Sequence, residues 1–301
     1  MIHVFVINTI KVEPNFGAKL RSRLKERDDI KSFVFNTSRA GMEKEIVERM
    51  IHFYEGERFR FYCCGGSGTL RNMIEGARNY EQAEFAFCPF GKTNDFLKVF
   101  GKDISEFKDI DRLIEGHVEK IDYIKSEYAC ALNTVSYGID TVLTKSLYDT
   151  KEYNIFGKAI PDILSYIKAV FGTKPVKLIY SVDGHYKSDG ISELILGNGV
   201  AIGGAMYYND NPDVMDSYAD YFVASGVRTL GMIKIIRYML KNDVAGVKNN
   251  TINGKFASFT LKSADDEALA LNVDGEIVRG GSEWHFEVVP RGLNFVLPKG
   301  L

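Results

Sequence analysis

Three short stretches of this 301-residue sequence combine residue types that can hold a phosphate or move a proton. The first, Cys64-Gly65-Gly66-Ser67-Gly68-Thr69, lies between the apolar run Phe59 to Cys64 and an amphipathic stretch from Thr69 to Tyr80. A glycine turn between a strand and a helix leaves main-chain N–H groups unpaired at the positive end of the helix dipole, where an anion is favoured. Glycine suits that place because no Cβ keeps the anion from the backbone. The same turn can serve chain reversal alone, and it matches neither the Walker pattern nor G-x-G-x-x-G. The second, Pro89-Phe90-Gly91-Lys92-Thr93-Asn94-Asp95-Phe96, follows the apolar run Glu84 to Cys88 and leads into a helical pattern, so Asn94 or Asp95 suits a helix cap as well as a ligand. The third, Asn272-Val273-Asp274-Gly275-Glu276, sets two carboxylates around a glycine, and its Asp-Gly pair is also a strong hairpin signal.

The elements that must position these stretches differ along the chain. Up to about Asp122, short apolar runs (His3 to Ile7, Ser32 to Phe35, Phe59 to Cys64, Glu84 to Cys88) alternate with amphipathic stretches (Gly17 to Arg27, Gly41 to Glu55, Thr69 to Tyr80). That βαβ rhythm predicts a doubly wound α/β domain with a parallel sheet. The first two motifs would then share the carboxyl edge of the sheet, where open α/β folds bind ligands. After Asp122 the pattern turns to short runs of period two, among them Val176 to Asp183, Ser192 to Gly197, Tyr218 to Ala224 and Trp284 to Val289. Alternation with Gly, Asn and Asp turns predicts antiparallel strands packed like a β-sandwich. Helices over 158–171 and 230–241 are expected to interrupt it. The expected domains are therefore residues 1–122 and 123–289, with the apolar segment 290–301 free to return to either.

Composition narrows the function. A net charge of -2 and a pI near 6.3 argue against nucleic acid as a partner. No run reaches the roughly 18 uncharged apolar residues of a membrane span, and the start of the chain lacks the features of a signal peptide. A cytoplasmic protein is expected, with any lipid reached from the water side. Cys63, Cys64, Cys88 and Cys130 lie in or beside apolar runs without ligand spacing, so they read as reduced core thiols. The five histidines show no zinc-binding spacing.

Taken together, the glycine turn, the P-x-G-x-x-N-D-F turn about twenty residues on and the distant D-G-E make the chain resemble the diacylglycerol kinase catalytic family, which includes bacterial lipid kinases and sphingosine kinases. Further matches run over nearly the whole chain: Ile121-Asp122, Asn133 to Asp140, Gly197-Asn198-Gly199, Gly203-Gly204 and Pro290 to Pro298. The resemblance implies ATP in a cleft between the two domains, with its γ-phosphate passing to the hydroxyl of diacylglycerol or a related lipid. It implies that Gly65, Gly66, Ser67, Gly68 and Thr69 cradle the phosphates, and that Thr37, Arg71, Lys92, Thr93 and Asn94 help hold the nucleotide. Glu276 would be the general base, with Asp274 beside it; Asp95 and Asp122 would belong to a magnesium and water network. A divalent cation, Mg2+ by its oxygen ligands, would be held in a second-domain loop at Asp213, Asp216 and Tyr218. The lipid substrate would be met at the inner membrane face, and a homodimer is left open.

Departures from the pattern gather where the nucleotide should lie. Ser67 replaces the usual Asp, Arg71 an Asn, Asn72 a Glu and Lys92 a Thr, which makes the region more positive. The usual Asn-Pro-x-Ser-Gly reads Asn8-Thr9-Ile10-Lys11-Val12, and Ser217 stands where the family has Gly. Two other readings follow: a nucleotide-binding regulatory protein that has lost transfer, and a kinase for a soluble acceptor like the NAD kinases. Apolar residues of 156–171 and 230–240 read first as core, and second as an acyl pocket or membrane contact.

Overall fold

The computed structural model describes the chain except for residues 40, 79, 92, 102, 103, 150–169, 172 and 173. It is a mixed α/β protein that divides into two compact units. The first comprises Met1–Asn94, Gly101–Ile121 and Gly292–Leu301; the second comprises Asp95–Phe100 and Asp122–Arg291.

The first unit is a parallel sheet of β1 (Ile2–Asn8), β2 (Lys31–Thr37), β3 (Phe59–Gly65), β4 (Ala83–Pro89) and the last residues of the final strand. Its order is β2-β1-β3-β4 followed by that final strand, which pairs through Asn294, Phe295 and Val296 with β4. Every residue of β3 and β4 is buried, as expected of strands covered on both faces. Helices α1 (Phe16–Leu24), α2 (Met42–Phe53) and α3 (Ser67–Gly76) connect consecutive strands. The short α4 (Ile110–Ile114) begins at Asp109, whose side chain accepts from the N–H groups of Asp111 and Arg112, and β5 (His117–Lys125) carries the chain out.

The second unit is strand-rich. β7 (Thr134–Gly138), β8 (Val176–Val182), β9 (His185–Gly197), β12 (Ala219–Ser225), β13 (Ile252–Phe256), β14 (Ser258–Ser263), β15 (Ala270–Val273), β16 (Glu276–Arg279) and β17 (Glu283–Leu297) all pair antiparallel within it. β6 (Cys130–Ala131) pairs with β5, and β10 (Ala201–Ile202) with β11 (Met206–Tyr207). Alternate residues of these strands, including Leu178, Tyr180, Leu194, Leu196, Val223, Phe259, Leu261 and Trp284, form one buried cluster. A second cluster gathers under α5 (Ile139–Asp149), α6 (Thr229–Leu240) and α7 (Val244–Lys248).

Three details differ from the sequence expectation. α3 starts at Ser67, not Thr69, so Ser67, Gly68 and Thr69 form its first turn. The stretch after Asn94 is a 3-10 turn over Asp95–Phe100 rather than an α-helix, and it groups with the second unit. The helix expected over 158–171 lies outside the described residues except at Val170 and Phe171.

Candidate functional site

The carboxyl ends of β1, β2, β3 and β4 bring the first unit's candidate residues together. Gly66, the residue before α3, is extended and offers no side-chain cap, and the first turn of α3 carries no acidic residue. Its leading N–H donors are thus left for an outside acceptor. Gly65 has to be glycine because a Cβ there would lie 2.8 Å from Thr69 Oγ1 and 2.9 Å from two Thr69 carbons. Thr69 is itself buried and receives a hydrogen bond from Asn8 Nδ2 at 3.0 Å.

The second turn meets the first here. Phe90 N–H donates to Gly65 O at 2.7 Å, and a Cβ on Gly91 would lie 3.1 Å from Gly66 Cα. Asn94 holds φ +46°, donates Nδ2–H to Gly91 O at 2.9 Å, and keeps a buried Oδ1 with no partner among the described residues. Lys11 reaches over the same spot from the turn after β1: its Nζ would be 2.7 Å from a Cβ on Gly66. Uncapped donors, two glycines in close approach and an ammonium fit a phosphate group.

Thr37, at the end of β2, is buried and donates its hydroxyl to Glu43 Oε1 at 3.2 Å, while Glu43 Oε2 has no partner among the described residues. Arg71 is buried on α3, 3.9 Å from Glu75. Thr93 is half-buried beside Asn94, and Lys92 lies outside the described residues.

In the second unit, Asp274 (φ +49°) and Gly275 (φ +87°) make a two-residue hairpin between β15 and β16. Asp274 accepts from Leu132 N at 2.8 Å and from Asn133 N and Thr134 N at 2.9 Å, so its carboxylate braces the hairpin against residues 132–134. Glu276 follows as the first, half-buried residue of β16. Asp95 is also a brace: Oδ1 pairs with Lys98 at 2.6 Å, Oδ2 accepts from Gly204 N at 3.0 Å, and Lys98 Nζ donates to Gly204 O at 2.6 Å.

Behind α6 lies a partly open apolar pocket, lined by Ile195, Met206, Phe222, Ala224 and Met232 among others. Its polar members are Asp140, Thr251 and Glu193. Glu193 Oε2 accepts from Ile139 N at 2.6 Å and Asp140 N at 3.2 Å, capping α5, whereas Oε1 has no partner among the described residues. Burial, and after it the Asp140 charge, pushes the Glu193 carboxyl well above the usual carboxylate range.

Residues 8–126 match the diacylglycerol kinase catalytic domain. The match marks that part of the chain as similar to the diacylglycerol kinase catalytic domain. A protein of Staphylococcus epidermidis named "Putative lipid kinase" is 27% identical over 226 residues, covering 72% of this chain and 69% of that protein. A Staphylococcus aureus protein of the same printed description is 27% identical over 225 residues, covering 72% and 70%. A crystal structure titled as a putative diacylglycerol kinase from Bacillus anthracis superposes with a TM-score of 0.72 at 17% identity, covering 99% of this chain and 97% of that one. A second structure under such a title gives 0.68 at 17% identity over 98% and 96%.

The loop expected to carry a divalent cation is built differently from a carboxylate cage. Asp122, fully buried, accepts Ser217 N on Oδ2 and Arg291 N on Oδ1, each at 2.6 Å, and donates its own N–H to Val214 O at 2.7 Å. Asp213 Oδ1 accepts Met215 N at 2.9 Å, Asp216 Oδ1 accepts Tyr218 N at 3.0 Å, and Asp216 Oδ2 pairs with Lys255. Tyr218 is exposed. Among the described residues no group of three or more His, Cys, Asp or Glu is placed to hold a metal ion. At Asp122 and Asp216 both carboxylate oxygens already take hydrogen bonds from N–H groups or pair with Lys255.

Two features escaped the sequence. Lys11 belongs to no recognisable motif, and only its position in an eroded family pattern hinted at it. The cavity carries a single partial signal, the apolar face of α6.

Proposed function

We propose that this chain is an ATP-dependent lipid kinase that passes the γ-phosphate to the hydroxyl of diacylglycerol or a related long-chain alcohol. The observation that carries the nucleotide half is the meeting of Gly66 and Gly91 under Lys11, beside the uncapped start of α3. The N–H groups of Ser67, Gly68 and Thr69 would hold phosphate oxygens, and Lys11 would offset their charge. Asn94 Oδ1 and Glu43 Oε2, both buried acceptors in want of a donor, are suited to hydroxyl or amino groups of the nucleotide. ATP supplies the transferred phosphoryl group when bound.

The lipid half draws on the pocket, whose apolar lining suits an acyl chain. Glu276 would take the acceptor proton, and Asp274 would position it through the hairpin. Magnesium would travel with the nucleotide. A second reading, nucleotide binding without transfer, draws on Ser67: with no carboxylate in the first turn of α3, this chain has less to hold a metal against the phosphates. Titration calorimetry with ATP tests the nucleotide half. Wild type should bind and Gly66→Val should not, since a branched side chain would run into Lys11 and the Gly91 turn. Equal binding by both would remove the proposed phosphate site.

A further inference from the structure

We propose that the exposed face of α6 docks on an anionic lipid surface, so that acyl chains pass from the bilayer into the cavity behind the same helix. The inference rests on the lipid-kinase reading above and adds the surface that delivers the substrate.

The helix has two unlike faces. Met232, Ile235, Ile236 and Met239 are buried and line the cavity. Leu230, Lys234 and Arg237, with Lys241 just past the end, follow one another at steps of four, three and four, and all are exposed. That spacing stacks them in one stripe along the helix. No Asp or Glu occurs between Ser225 and Asn242, and exposed Arg228 adds a further cation. A solvated helix face ordinarily mixes signs, because like charges three or four residues apart repel. Here the one hydrogen-bond partner of Lys234 among the described residues is neutral, Asn250 Oδ1 at 3.3 Å. Among the described residues no carboxylate forms an ion pair with Lys234, Arg237 or Lys241, exposed Asp243 being the first acid past the stripe, and an anionic surface would supply the counter-charge.

Exposed apolar side chains decide between a lipid and an acidic protein. Leu230 is 81% exposed at the start of the stripe. Val170 is buried in the same cluster as Met232 and Met239, and its neighbour Phe171 stands 68% exposed. Cations flanking large apolar groups suit a helix lying in the headgroup plane, where the apolar groups enter the acyl boundary and the cations meet phosphates. At 12 residues α6 is too short to cross a bilayer and long enough to lie on one. A two-chain lipid has almost no solubility in water, so its way into the cavity begins at a membrane.

The test is co-sedimentation of the full chain with vesicles of phosphatidylcholine alone and of phosphatidylcholine mixed with phosphatidylglycerol. Wild type should bind the mixed vesicles at least tenfold more tightly, with salt weakening the binding. The combined variant Lys234→Gln, Arg237→Gln, Lys241→Gln should lose on the order of a hundredfold, each cation being worth roughly fivefold near the surface. Leu230→Gln should lose severalfold, and unfolding temperatures should match wild type because all four side chains are solvated. That pattern supports the docking face even if no phosphate transfer is detected, since missing transfer counts against the kinase reading alone. Equal binding by the triple variant, or failure of wild type to bind either vesicle, overturns it.

Discussion

Asp122 Oδ2 accepts the main-chain N–H of Ser217 at 2.6 Å, and Ser217 stands in the left-handed region at φ +71°. The carboxylate holds a non-glycine residue in a conformation that costs about 1 kcal/mol or more. Glycine adopts it freely. Ser217→Gly should therefore raise stability by about 1 kcal/mol, a Tm gain of roughly 2 °C in thermal unfolding. Asp122→Ala should lower it by about 2–5 kcal/mol, because the N–H groups of Ser217 and Arg291 lose their acceptor in a buried setting.

Lys11 places an ammonium over Gly66, where the family pattern carries no cation. Lys11→Gln should weaken ATP binding about fivefold to tenfold at low ionic strength, with a smaller effect at high salt as screening removes the attraction. Calorimetry at two salt concentrations, each with and without magnesium, checks this. An affinity that does not change would remove Lys11 from the site.

His3 makes the fold acid-sensitive. Its Nδ1 lies 2.8 Å from Tyr62 Oη, and burial, followed by the positive charge of Arg60, holds its pKa down at about 4 against 6.5 in the unfolded chain. Below 6.5 the unfolded chain takes up a proton that the folded chain refuses until about 4. Stability is therefore full above 6.5, falls as pH drops toward 4 and levels off below, with at most roughly 3 kcal/mol at stake. His3→Gln should flatten Tm against pH across that window.

The cavity behind α6 gives a separable prediction about the acceptor. Ala224 is buried and lines it, and replacement by Phe extends a ring into the open space. Ala224→Phe should raise KM for a long-chain lipid at least tenfold while leaving KM for ATP unchanged. A change in both, or in neither, would separate the cavity from lipid binding.

Periodicity made much of this legible in one dimension. The continuous apolar runs that became β3 and β4 are the signature of strands buried on both faces, and the turns after them are marked by glycine and proline. What spacing does not record is the partners distant in sequence. Asp122 and Asp216 look like metal ligands when read beside a motif, yet their oxygens go to main-chain N–H groups and to Lys255. Asp95 reads beside its motif as a site residue, and the structure adds that its oxygens contact Lys98 and Gly204. Lys11 is marked only by its position in an eroded pattern; its place above Gly66 arises because β1 and β3 lie side by side and end level, Ile7 opposite Cys64. The helix starts at Ser67 because Gly66, just past β3, is still extended, which hydrophobic spacing does not record.

The most direct test of lipid phosphorylation is to supply γ-labelled ATP and magnesium with long-chain diacylglycerol in mixed micelles and to measure label in the extracted lipid for wild type and Glu276→Gln. Wild type should yield labelled lipid, and the variant at least a hundredfold less at unchanged ATP affinity, since loss of a general base removes about 10^2–10^4 in rate. No labelled lipid from wild type, or equal label from Glu276→Gln, would contradict the assignment.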